Sequence, residues 1–90
     1  DLDLIVLDMK NAENFIEIAF SKLKPGSWLA VYSPYIEQVK AVTQEIKKLN
    51  FTKPLTLEIV QRAWDVREHT LPKRKGLLHT GFLTLARKIY

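Results

Sequence analysis

Asp8 directly follows the apolar run Leu4-Ile5-Val6-Leu7, and Tyr32-Ser33-Pro34 closes a second run that begins at Trp28. Runs of this kind read as strands, and in open α/β sheets ligands bind beyond the C-terminal ends of the strands. Asp8 and Tyr32-Ser33-Pro34 are therefore expected to face one crevice. A strand-end acid can also simply cap the helix that follows, and a tyrosine there can be an ordinary strand aromatic with its hydroxyl at the sheet edge. Ser33 and Thr80 have no convincing base partner for nucleophilic catalysis. His69 and His79 lack metal-ligand spacing with the nearby acids, and cysteine is absent, so no metal site, thiolate chemistry or disulfide is expected. Arg67, Lys73, Arg74 and Lys75 gather around Pro72. Such a cluster is either a solvated connection or a contact for phosphate.

The elements that must position these residues follow from hydropathy. Ninety residues, 47% hydrophobic and 27% charged, suit one compact domain over 1–90, with no internal boundary or repeat. The continuous run Leu4 to Leu7 suits a strand buried on both faces. Ile16, Ala19, Phe20 and Leu23 recur at helical spacing over Ala12 to Leu23, with Asn11 as the cap and Lys24-Pro25-Gly26 as the stop. Trp28 to Tyr32 is the second strand. Ile36, Val39, Val42, Ile46 and Leu49 mark one face of a second helix. Leu55 to Trp64 alternates as a strand, residues 65–79 read as a loop, and Gly81 to Ile89 is the last strand. The order is strand, helix, strand, helix, strand, strand: an α/β fold whose first strands are parallel and whose last two pair antiparallel.

The net charge of +4 is unevenly placed. Residues 1–61 hold 7 Lys and Arg against 8 Asp and Glu, whereas residues 62–90 hold 7 against 2. The positive potential thus belongs to the last third of the chain. The longest apolar runs are far shorter than the roughly 20 residues that span a bilayer, so no membrane segment is expected and a cytoplasmic setting is the default. The sequence opens on strand residues without an initiator Met, which reads as a piece of a longer polypeptide.

Local sequences narrow the layout to a family. Leu7-Asp8, Leu23-Lys24-Pro25-Gly26, Tyr32-Ser33-Pro34 followed by Glu37-Gln38-Val39, and His79-Thr80-Gly81-Phe82-Leu83-Thr84 with Ala86-Arg87-Lys88 together resemble the archaeal and bacterial tRNA (adenine-N1) methyltransferases acting at position 58 of the T-loop. The likeness extends over essentially the whole chain and corresponds to the C-terminal half of a Rossmann-like methyltransferase, whose last strand is inserted antiparallel. Two departures stand out. Where the family has a proline-containing segment ending in Pro-Trp, this chain reads Met9-Lys10-Asn11-Ala12-Glu13. The family's glycine-rich turn and its ribose-binding acid have no counterpart, since Gly26, Gly76 and Gly81 are scattered singly.

The resemblance implies S-adenosylmethionine as cofactor, held mostly by the absent N-terminal half, and tRNA as substrate. It implies that Asp8 is catalytic and touches the cofactor. It makes Tyr32 and Ser33 part of the pocket for the flipped base, with His79 and Thr80 beside the site in an architectural role. Arg67, Lys73, Arg74 and Lys75 become tRNA phosphate contacts. The family assembles as a homotetramer, in which the strand carrying Trp64 helps to join subunits; Trp28 and Trp64 read as core or interface anchors. Alone, the 90-residue chain is expected to be inactive. The competing readings are a non-catalytic basic tRNA-binding or assembly module on the same fold, and a Rossmann-like methyltransferase acting on proteins or small molecules.

Overall fold

The computed structural model describes the backbone of residues 1–61, 64–66, 70–72 and 79–90, and the side chains of residues 1–60 and 80–90. The elements are β1 (Leu2–Leu7), a 3-10 turn (Ala12–Phe15), α1 (Ile16–Lys22), β2 (Leu23–Ser33), α2 (Ile36–Lys47), β3 (Leu55–Gln61), β4 (Trp64–Val66), β5 (Thr70–Pro72) and β6 (His79–Arg87). Four of the strands form one sheet in the order β1-β2-β6-β3. β1 and β2 are parallel, while β6 is antiparallel to both β2 and β3. The expected α/β layout is present, with the last strand inserted between β2 and β3.

Because β3 and β2 both oppose β6, they run the same way, so β1, β2 and β3 step across the sheet in one direction. Right-handed crossovers then put α1 and α2 on the same face. The core lies there: Ile16 from α1 and Val42 and Ile46 from α2 are buried with Leu29, Val31 and Ala86 of the sheet. Each fully buried aliphatic side chain contributes about 1.5–3 kcal/mol. Phe20 and Phe51 close one end of this layer, their rings edge to face at 5.1 Å. In α2 the buried residues are Val39, Val42 and Ile46, on the stripe that the periodicity predicts, with Glu37 in the first turn and Lys47 in the last to complement the helix dipole.

The opposite face is apolar and open. Leu4, Val6, Leu55, Leu57 and Ile59 are 44–59% exposed. Burial of β1 on both faces is therefore not what this chain provides; Ile5 and Leu7 pack against the helical layer, and Leu4 and Val6 have no described element above them.

Several boundaries differ from the sequence reading, including the last strand, which runs His79–Arg87 and not Gly81 to Ile89. The predicted helix over Ala12 to Leu23 splits into a 3-10 turn and α1, because Asn11 adopts φ 60 and starts the turn tightly, without a side-chain cap bond. Leu23 already belongs to β2, pairing with Leu2, and a register shift follows before Leu4 meets Trp28. Lys24-Pro25-Gly26 is thus an irregular entry into β2, with Gly26 at φ 85, a value that favours glycine. The expected loop over 65–79 contains β4 and β5, which pair antiparallel from Trp64↔Pro72 to Val66↔Thr70, so Trp64 belongs to this small sheet and not to β3.

Arg87 and Lys88, part of the motif that carried the resemblance, secure that irregular entry. Arg87 Nε donates to the Gly26 carbonyl at 2.7 Å, and its guanidinium lies 5.6 Å from the Trp28 ring. Lys88 Nζ donates to the carbonyls of Phe20 and Leu23, both at 2.8 Å, satisfying acceptors at the end of α1 and sitting over the Phe20 ring.

Candidate functional site

The register assembles a rim from residues distant in sequence. Leu7 pairs with Val31 in parallel, so the next residues, Asp8 and Tyr32, emerge at the same end of the sheet. β6 enters from that end: Phe82 pairs with Ser33, and His79 and Thr80 precede it on the strand. Asp8, Tyr32, Ser33, His79 and Thr80 therefore share the C-terminal rim of β1 and β2, whereas Arg67, Lys73, Arg74 and Lys75 lie outside the described residues. The phosphate-contact expectation for those four rests on their charge and on the family resemblance.

At this rim Asp8 is exposed and Thr80 is exposed. Ser33 is fully buried, and its Oγ has no hydrogen-bond partner among the described residues. An unpaired buried hydroxyl costs about 1–3 kcal/mol. Tyr32 is half-buried, and its ring lies over Gly81: a Cβ built on Gly81 would fall onto the Tyr32 Cζ and hydroxyl. The place of Gly81 in the motif is thus a close approach between strand backbone and aromatic ring.

Six further residues near the rim were missed as site candidates. Lys10, Asn11, Glu13 and Tyr35, together with Glu37 and Gln38, line a cavity of about 420 Å³ between the turn after β1 and the start of α2. Gln38 Nε2 donates to the Met9 carbonyl at 2.9 Å and ties the two segments together. Glu13 contributes a carboxylate oxygen, Oε1, that is shielded from water and unpaired among the described residues. The available signals were the departure of Met9 to Glu13 from the family pattern and the placement of Gln38 in the segment after Pro34. Asn11 was legible only as a cap, yet its left-handed backbone bends the chain so that Lys10 and Glu13 both reach the cavity wall. No group of three or more His, Asp or Glu side chains among the described residues could hold a metal ion, and no described helix is long and apolar enough to cross a membrane.

The chain and its fold have counterparts in known proteins. The chain is 37% identical over 89 residues to the tRNA (adenine(57)-N(1)/adenine(58)-N(1))-methyltransferase TrmI of Methanocaldococcus jannaschii, covering 97% of this chain and 32% of that protein. It is 31% identical over 87 residues to the tRNA (adenine(58)-N(1))-methyltransferase TrmI of Thermus thermophilus, covering 96% of this chain and 34% of that one. Among solved structures, a SAM-dependent O-methyltransferase of Thermotoga maritima superimposes with a TM-score of 0.84 at 26% identity, over 100% of this chain and 34% of its own. The chain spans about a third of the length of these relatives. Residues 1–77 match the family model described as the tRNA methyltransferase complex GCD14 subunit, and the chain belongs to that family.

Proposed function

We propose that the complete polypeptide transfers a methyl group from S-adenosylmethionine to the position-1 nitrogen of an adenosine in the tRNA T-loop, with this chain supplying the acceptor side. The observation that supports this most is the parallel register that brings Asp8 beside Tyr32 and Ser33 at the ligand-binding end of the sheet, in a chain of this family. Bound S-adenosylmethionine supplies an electrophilic methyl on a sulfonium. The rim offers it the exposed Asp8 carboxylate, while no glycine-rich turn is present in the sequence to cradle the rest. The fit is to the reacting end only.

Methyl transfer needs the acceptor nitrogen held in line with the methyl, so positioning carries most of the catalysis. The adenine N1 is a weak nucleophile, and once methylated the base is cationic. A hydrogen bond from the exocyclic amine to the Asp8 carboxylate raises electron density at N1 and strengthens as charge moves from sulfur to the base. The Tyr32 ring receives the base after it leaves its stack in the folded loop. His79 and Thr80 shape the same rim without taking a proton. This reading also assigns the tRNA as partner, the cytoplasm as location and a homotetramer as the working assembly.

The test is a nucleoside digest after incubating the complete polypeptide with a tRNA transcript and methyl-labelled S-adenosylmethionine. Label in N1-methyladenosine is expected; label elsewhere, or tRNA binding without transfer, would replace this reading with another methyltransferase branch or a non-catalytic module. The 90 residues alone should give no measurable transfer.

The basic segment makes a separate prediction. Neutralising Lys73, Arg74 and Lys75 together should make the slope of log Kd against log salt for tRNA shallower by about 2 to 3, since each phosphate contact contributes roughly 0.7–0.9. An unchanged slope removes these residues from the interface.

A further inference from the structure

The geometry points to Gln38 as a positioning residue for Asp8: its side-chain amide holds the Met9 carbonyl and thereby sets where the Asp8 carboxylate stands relative to the acceptor base. This deepens the methyl-transfer reading above and rests on it. Asp8 is the first residue beyond β1, so the strand ladder fixes it from one side only, through Leu7 paired with Val31. On the other side the chain runs through Met9 and Lys10 to Asn11, whose φ of 60 lies in a region that residues with a side chain seldom occupy. Such a turn keeps one shape only where its surroundings determine it. Asp8 itself is exposed and makes no side-chain hydrogen bond or ion pair among the described residues, so its carboxylate is located by the backbone that carries it.

Gln38 supplies that determination. Its Nε2 donates at 2.9 Å to the carbonyl of Met9, the residue that follows Asp8. Outside the strand ladders, no other hydrogen bond among the described residues joins positions 8–11 to a different element; the bond from the Asn14 N–H to the Asn11 carbonyl, at 3.0 Å, is internal to the turn. The donor is itself anchored, because Gln38 lies in the first turn of α2 beside buried Val39. Since α2 begins two residues after Pro34, the bond reaches from the segment that follows β2 to the segment that follows β1. It therefore fixes the spacing between Asp8 and Tyr32 as well as the path of the backbone at Asp8. A carboxylate assists the adenine amine only from the right place, and Gln38 keeps it there without touching the substrate.

The experiment uses the complete polypeptide with Gln38→Ala and with Gln38→Met, which keeps the length of the side chain and loses the donor, each in the unsubstituted and the Asp8→Ala backgrounds. Single-turnover methylation of a tRNA transcript at saturating tRNA gives the rates. With Asp8 present, both substitutions should lower the rate about tenfold, within the roughly 10²-fold that a misplacement of about 1 Å can cause, while Kd for tRNA stays within about twofold. In the Asp8→Ala background the same substitutions should cost less than about twofold, since no carboxylate is left to misplace. Hydrogen exchange of the segment 8–15, which needs no turnover, should quicken by about threefold or more in Gln38→Met. Equal rate losses in both backgrounds, a rate for Gln38→Met within about twofold of the unsubstituted protein, or unchanged exchange each overturn the proposal. A negligible effect of Asp8→Ala alone overturns it too, because Gln38 then has nothing to act through. Gln38→Met carries the comparison where Gln38→Ala unfolds. Absence of N1-methyladenosine with the unsubstituted protein refutes the proposed function, whereas normal product with equal losses in both backgrounds refutes the role of Gln38 alone.

Discussion

Asp8→Ala in the complete polypeptide is expected to lower kcat for tRNA methylation by about 10²–10³, the loss typical when one preorganised electrostatic partner of a transition state is removed. The effect should fall on kcat, because the attraction grows as positive charge passes to the base and is weak toward the neutral ground state. Affinity for tRNA should change little, since a single carboxylate removed from a polyanion's interface does not weaken phosphate contacts. Asp8 is exposed at the end of β1, so the substitution should alter stability by no more than about 0.5 kcal/mol. Asp8→Asn keeps an acceptor for the exocyclic amine and loses the charge, and its rate should lie between the two. Single-turnover methylation with saturating tRNA separates these terms. A rate for Asp8→Ala within threefold of the unsubstituted protein would leave Asp8 as a strand-end residue with no part in the chemistry.

The order of elements was legible because each helix and strand carries its own hydrophobic period. Ile16, Ala19, Val39, Val42 and Ile46 are buried as helical spacing requires, and Leu7 ends its strand where the apolar run ends, while β2 continues one residue past its run to Ser33. The shared rim of Asp8 and Tyr32 follows from the same reasoning, as parallel strands joined by a helix present their C-terminal ends together. What periodicity could not supply was long-range. The run Leu4 to Leu7 looks the same whether one face or both are covered, and here both crossovers travel in one direction and leave the second face open. Trp64 to Pro72 holds too few residues per strand to show alternation, so β4 and β5 were hidden in an expected loop. The cavity at Glu13 depends on the left-handed turn at Asn11 and on a hydrogen bond spanning 29 positions, from Gln38 to Met9, neither of which leaves a local pattern.

That open face bears on the chemistry. Leu4, Val6, Leu55, Leu57 and Ile59 share it with Tyr32, which pairs with Leu83 just as Leu57 does, so paired residues place all three on one side. A mixed α/β sheet of this kind, with β1 and β2 parallel, is normally covered on both faces. The ring of Tyr32 therefore sits at the margin between the rim and a surface that requires a cover. Its position is set in this chain by the backbone beneath it.

Gly81→Ala should consequently act through Tyr32. A methyl group at Gly81 would occupy the space of the Tyr32 Cζ and hydroxyl, so the ring must swing off the strand. Overpacking of this kind costs about 1–3 kcal/mol. Yet alanine in a strand should by itself stabilise by about 0.5–1 kcal/mol relative to glycine, because it restricts the unfolded chain. The two effects separate in a double-mutant cycle. In the unsubstituted background Gly81→Ala should destabilise; in Tyr32→Ala, where the ring is gone, the same change should be neutral or stabilising. Methylation should follow the ring: Gly81→Ala and Tyr32→Ala should each lower kcat/KM by a similar factor, about 10 to 100 for a lost base-stacking face, and the double variant should lose little more. Chemical denaturation of the four proteins and their kcat/KM values measure both cycles. Additive losses in stability would mean that Gly81 is required for a reason other than the approach of Tyr32, and additive losses in rate would separate the glycine from the base pocket.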